Sequence, residues 1–210
     1  MTIGLCQIIL AVFFFISLGV SPAYSAIVYS GRLDVKGPDF SIDLNNDGSN
    51  DFVTEWGTWA EGNGYSLTGF DVKMNVGIRF LNSELTGHTG YPGTKAPLEY
   101  GELIGPTAPQ GLLWAVNSND AMMWTTVDDS KDPFITYSGV WHDLGKKYLA
   151  FELRVGSRLF YGWIQLDTDA FNNVTLVDWA YEDVSGTPIR AGVILTPVIS
   201  PILPLLLEEE

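Results

Sequence analysis

The chain predicts an all-β protein, a single-domain antiparallel β-sandwich of jelly-roll-like type with few or no helices. Three observations carry that expectation. Charged residues make up only 17 % while glycine (22) and aromatics (Phe 11, Tyr 9, Trp 7) are abundant, a balance far from that of a helical bundle. Glu, Lys and Ala never gather into a long stripe of period 3.6. Short apolar or alternating runs recur instead, bounded by Gly, Pro, Asn and Asp, the punctuation of strands and turns. At 210 residues the chain can bury one sizeable core.

The elements follow in order. Ala26 to Leu33 (AIVYSGRL) reads as a first strand, and Lys36-Gly37-Pro38 turns the chain. Phe40 to Leu44 alternates apolar and polar, feeds an acidic loop, and Phe52 to Trp56 resumes as a strand. Tyr65 to Phe70 and Val72 to Leu81 give two more, the second placing Val72, Met74, Val76, Ile78 and Phe80 on one face. From Asn82 to Gln110 the chain is rich in Gly, Pro and Thr and reads as a long crossover or binding loop. Leu112 to Val116 and Met122 to Val127 are short apolar strands separated by the turn Asn117 to Asp120. Lys147 to Val155, the turn Gly156-Ser157 and Arg158 to Leu166 form the clearest hairpin, because glycine at the first turn position suits a type II′ turn. Val174 to Tyr181 is the last core strand, which makes about nine or ten in all, enough for two packed sheets.

The two ends read differently. Ile8 to Val20 is an uncharged apolar run followed by Ser21-Pro22-Ala23-Tyr24-Ser25, with small residues placed for cleavage after Ser25. The segment 1–25 is therefore expected to be a signal peptide, although MTIGLCQ carries no Lys or Arg. The run is shorter than the ~20 residues of a membrane span. Cys6, the only cysteine, lies inside it, so domain 26–192 would hold no disulfide and no thiol chemistry. Residues 193–210 form an apolar tail interrupted by Pro197, Pro201 and Pro204 and ending in Glu208-Glu209-Glu210. It reads as a truncated or variant sorting segment, or as a linker packed on the domain.

The formal charge of -14, with the eleven Lys and Arg scattered, excludes a nucleic-acid partner. An acidic surface suits an exported protein that meets divalent cations. DLNNDGSND, Asp43 to Asp51, places Asp43, Asn45, Asp47, Ser49 and Asp51 at alternate positions and a bend at Gly48. Calcium takes six to eight hard oxygens, and side chains at loop positions 1, 3, 5 and 9 with a free bend at 6 can wrap it. The helical version of that loop wants Glu at position 12, where this chain has Thr54 followed by Glu55. The sequence thus predicts a structural calcium ion held in a short loop between strands, with affinity about 10⁻⁴ to 10⁻³ M. The plainer reading is an Asx-rich turn.

Other chemistry is thin. His88 and His142 are far apart and have no partner at zinc-ligand spacing, and there is no G-x-S-x-G elbow or P-loop. Trp56, Trp59, Trp114, Trp124 and Trp141 could stack sugars along a groove, with Glu55, Glu61, Glu99 or Glu152 as acids of a glycosidase. Against that stands the ordinary use of Trp in a sandwich core. Asn173-Val174-Thr175 matches the N-glycosylation sequon.

Leu98 to Pro106 (LEYGELIGP), Lys147 to Glu152 (KYLAFE), Tyr161 to Leu166 (YGWIQL) and Val177 to Gly192 (VDWAYEDVSGTPIRAG) resemble exported bacterial proteins of the PEP-CTERM sorting-signal class, as does the acidic loop. The likeness spans roughly Ala26 to Gly192 and implies sorting at the envelope of bacteria that make exopolysaccharide. This chain departs from the class at its tail, which has no Pro-Glu-Pro and ends acidic where the class is basic. The class brings no activity that could be assigned to residues here.

The expectation is an exported, non-enzymatic protein of the cell surface or extracellular matrix, carrying a structural calcium loop at Asp43, Asn45, Asp47, Ser49 and Asp51. It would bind exopolysaccharide or envelope components through Trp56, Trp59, Trp114 and Trp141, and meet a membrane only through processing of its ends. The alternatives are a secreted carbohydrate-active enzyme with a Trp-lined groove and a purely structural matrix protein.

Overall fold

The computed structural model describes residues 26–62, 65–74, 77–83, 94–115, 121–128 and 134–194, apart from the side chains of 59–62, 65 and 74. The expected signal peptide, the turn at Asn117 to Asp120 and the tail from 195 onward lie outside the described residues. Among the described residues every regular element is a β-strand, and every pairing is antiparallel. In chain order these are β1 Ile27–Tyr29, β2 Val35–Lys36, β3 Ser41–Ile42, β4 Phe52–Gly62, β5 Tyr65–Met74, β6 Ile78–Ser83, β7 Pro97–Leu98 and β8 Leu103–Ile104. There follow β9 Leu112–Ala115, β10 Met123–Asp128, β11 Phe134–Ser138, β12 Gly145–Val155, β13 Arg158–Thr168, β14 Val174–Glu182 and β15 Ile189–Arg190.

A five-stranded sheet runs β11-β10-β5-β4-β3, and an eight-stranded sheet runs β1-β14-β13-β12-β6-β9 with β2 on β14 and β7 on β12. Their facing sides share one core. Phe52 of the smaller sheet lies 5.4 Å from Phe80 and 5.3 Å from Phe151 of the larger, ring centre to ring centre. All three are fully buried, so the aromatic content that predicted a sandwich is spent across the sheet interface. The result is a β-sandwich-like, all-β fold.

The central hairpin forms as its sequence requires. Val155 pairs with Arg158 across Gly156-Ser157, and Gly156 has φ +62°, as the first position of a II′ turn demands. Both strands are apolar on both faces because both faces are covered. The inner face carries Leu149, Phe151 and Leu153. Tyr148, Ala150 and Trp163 on the outer face join a second core with Leu98, Ile104, Ile189 and Ala191. That cover is the segment read as a long crossover: within it lie β7 and β8, and β8 pairs with β15 to form a two-stranded flap.

The strand expected over Val72 to Leu81 is two strands in different sheets. Asp71 does not end β5: it pairs with Glu55 in the β4–β5 ladder, and its carboxylate accepts a hydrogen bond at 2.6 Å from the buried Lys95 ammonium. β5 ends at Met74, and β6 begins at Ile78 directly after Gly77, φ +101°. Val72 and the pair Ile78 and Phe80 still face one core, from opposite sheets. The shared polarity pattern was real, and its cause is the sandwich rather than one continuous strand.

Candidate functional site

The acidic loop closes the hairpin of β3 and β4, in which Ile42 pairs with Phe52. Its neck is fixed by Asp51, whose backbone N–H donates to the Ile42 carbonyl at 2.7 Å while its Oδ2 accepts from the Leu44 N–H at 2.7 Å. The Asp43 carboxylate accepts from Gly48 N–H at 2.9 Å and from Asp47 N–H at 3.3 Å. Asn45 Oδ1 accepts from Asp47 N–H, and Asp47 Oδ1 from Ser49 N–H, both at 2.9 Å. These are Asx turns, and they bend the chain with help from Asn46 and Gly48 at φ +57° and +85°.

Asp51 is 7 % exposed. Burial pushes its carboxyl above the usual aspartate range. The Leu44 amide opposes that shift, and the charges of Asp47 and Asp43 add to it. Three carboxylates therefore share one electrostatic field at one end of the sandwich. Among the described residues no three or more acidic, His or Cys side chains are gathered as a ready metal cage. Neither residue beyond the loop adds an oxygen to it: the Thr54 hydroxyl donates to the Pro38 carbonyl, and Glu55 pairs with Lys73.

The tryptophans separate into different environments. Trp141 is 0 % exposed, and its indole N–H donates to the Lys95 carbonyl at 2.8 Å, so this candidate for ligand stacking is a core side chain. Trp114 is half-buried, donates to the Gly105 carbonyl at 3.1 Å and lies 5.8 Å from the Tyr161 ring. Trp59 sits where the β4–β5 register slips, and its side chain lies outside the described residues. Trp56 lines a cavity among the described residues. It packs on the core, 6.1 Å from Phe70, and the rest of its indole borders a space of about 440 Å³.

That cavity lies between β4 of the smaller sheet, the β2–β3 turn, the start of β14 and the loop joining β13 to β14. In the sequence the β13–β14 loop stands out through the sequon at Asn173-Val174-Thr175, not as a binding loop. The turn itself is signalled by the turn-forming set Asp169, Asn172 and Asn173 between two strong strands. Asp169 Oδ1 accepts from the Phe171 N–H at 2.8 Å and the Asn173 N–H at 2.9 Å, and Oδ2 accepts from Asn173 Nδ2 at 2.8 Å. These bonds, the Asn173 side chain first, hold the Asp169 carboxyl below its ordinary range. Asn172, at φ +58° and 2 % exposed, reaches across to the other sheet. Its Nδ2 donates to the Trp124 carbonyl at 2.9 Å, and its Oδ1 lies 2.9 Å from His142 Nδ1.

The carboxylates weighed as hydrolytic acids are otherwise engaged. Glu152 is 2 % exposed and takes a bidentate pair from Arg79, at 2.7 Å from Nε and 2.6 Å from Nη2. Glu99 pairs with Lys147 and Glu55 with Lys73. The Glu61 side chain lies outside the described residues.

No protein-family profile, curated protein or solved structure matches the chain. The class defined by fold and geometry is therefore a β-sandwich-like domain with an acidic hairpin loop at one site and an aromatic-lined cavity at another.

Proposed function

We propose that this is an exported, non-catalytic protein of the cell surface or extracellular matrix, whose loop Asp43 to Asp51 is fixed by one calcium ion and whose role is to hold polysaccharide. The observation that carries the reading is the concentration of Asp43, Asp47 and Asp51 in a nine-residue loop with one of the three carboxylates buried at its neck. A divalent cation would relieve the repulsion that those charges impose on Asp51, and would exchange the Asx-turn bonds for metal–oxygen bonds. Export is supported by the apolar run Ile8 to Val20 and by the likeness to PEP-CTERM proteins. The non-catalytic part is supported by the pairing of Glu55, Glu99 and Glu152 with cations and by the hydrogen-bonded state of Asp169.

The test is thermal unfolding of the full chain in excess EDTA and in calcium, beside Asp47→Ala. At about 100 times its Kd a ligand adds about 2.7 kcal/mol, which for a chain of this length raises the melting temperature by about 5–11 °C. The rise is expected in wild type and absent in the variant. Identical melting of the wild type in both buffers would refute the calcium reading.

A further inference from the structure

Phe171 is a large apolar side chain left 67 % exposed, yet the loop that presents it is held by several side-chain hydrogen bonds. The Asp169 carboxylate takes three hydrogen bonds from within the loop, one of them from the Phe171 amide itself. Asn172 accepts a left-handed backbone, anchors on the Trp124 carbonyl and contacts His142, all in a buried setting. The ring is then steadied edge-on by Tyr137, 6.0 Å away at 85°. These bonds fix the backbone on which the exposed ring is carried, so part of the cost of ordering it for an occupant is already met in folding.

The opposite side of the cavity is equally set. Trp56 rests on the core, and the Lys36-Gly37-Pro38 turn is held against β14 by the Gly37 N–H, which donates to the Val174 carbonyl at 3.0 Å. Between these walls the volume of about 440 Å³ lies within the ~300–1,000 Å³ of small-molecule sites. The lining residues mix two aromatics, Trp56 and Phe171, with the polar Lys36, Asn173 and Thr175. The Asn173 side chain is held in place by donating from Nδ2 to Asp169 Oδ2 at 2.8 Å.

We infer that this cavity is a binding site for a neutral pyranose unit of a glycan chain, stacked on the aromatic side chains of Trp56 and Phe171 and hydrogen-bonded by Lys36, Asn173 and Thr175. The inference deepens the polysaccharide part of the proposed function and rests on it. A sugar ring offers C–H groups on its face and hydroxyls around its rim, which matches aromatic walls interleaved with donors and acceptors. A wholly apolar ligand would strip water from Lys36, Thr175 and Asn173 without replacing it. A polyanion would approach a chain of net charge -14 with Asp169 at the rim. Asp169 itself is a positioning residue: with both oxygens occupied, it shapes the loop.

The experiment is affinity gel electrophoresis of the full chain through gels carrying a soluble β-glucan, a galactomannan or alginate. Wild type runs beside Phe171→Ala and Lys36→Ala, and the melting temperature of each protein is recorded. Both substituted side chains are exposed, so the variants should melt with wild type. At least one neutral polysaccharide should retard wild type, and Phe171→Ala should weaken that retention tenfold or more. Retention unchanged in both variants would overturn this site while leaving a glycan-binding protein. Retention by alginate alone would overturn the neutral class of ligand. No retention in any gel would overturn the site together with the polysaccharide role, whereas the calcium reading stands or falls on the separate melting test.

Discussion

Gly162 in β13 lies opposite Phe151 of β12 and Tyr181 of β14, at the centre of the large sheet. A Cβ built there would stand 2.6 Å from the Ala180 carbonyl oxygen and 2.8 Å from Phe151 Cε1, and closer still to Phe151 Cζ. Neither neighbour can retreat easily. The carbonyl belongs to the backbone of β14, and the Phe151 ring is fully buried against Phe52. Overpacking of a dense core costs about 1–3 kcal/mol, and the additional backbone clash places Gly162→Ala at about 3 kcal/mol or above. At about 2–4 °C per kcal/mol for a chain of this size, the melting temperature should fall by about 6–12 °C. Phe151→Leu removes the tip of the ring. Combined with Gly162→Ala, it should show a favourable coupling of about 1–2 kcal/mol in a double-mutant cycle. The contact with Ala180 would persist, so recovery should be partial. A Gly162→Ala protein that melts with wild type, or a cycle with no coupling, would refute the close approach of β13 to its neighbours.

Two more predictions concern buried charge. Arg79→Met leaves Glu152 buried without its bidentate partner, so urea denaturation should show a loss of about 3–5 kcal/mol; a loss below 1 kcal/mol would mean the pair is solvated. Burial raises the Asp178 carboxyl, whose Oδ2 accepts from Tyr29 at 2.8 Å and whose buried Oδ1 has no hydrogen-bond partner among the described residues. The folded state therefore holds that proton more tightly than the unfolded state does. Its contribution is fully present below the ordinary aspartate range and is lost as pH rises through the elevated value. Asp178→Asn should flatten this decline, and parallel melting curves for the two proteins against pH from 3 to 8 would refute it. Tyr29, pushed up to about 12 mainly by burial, remains a donor throughout that interval.

Much of this was legible in the chain because it depends on neighbours in sequence. Strand identity follows from alternation and β-branched or aromatic content. The Gly156-Ser157 hairpin follows from the need for positive φ, and the bend of DLNNDGSND from Asx chemistry at fixed spacing. The edge strand β11 was passed over, because FITYS is short and three of its five residues are exposed, which leaves no buried face to mark it. The segment Asn82 to Gln110 reads in sequence as a long crossover or binding loop, since two-residue strands such as β7 and β8 carry no periodicity.

What the local pattern could not assign is which apolar residue serves which surface. Trp141 and Trp56 look alike in sequence, yet one is sealed behind Lys95 and the other borders a cavity. The difference arises from which distant segments pack against each indole, a property of the tertiary fold. In the same way Val72 and Ile78 share a pattern but belong to separate sheets, because a core has two sides and hydrophobicity records only that it is faced. The amino-acid order thus determined an all-β chain, its principal hairpin and its acidic turn, each set by interactions a few residues long. Sheet packing alone decided that Phe171 and Trp56, remote in the chain, line one cavity, because burial and open surface are consequences of long-range contact.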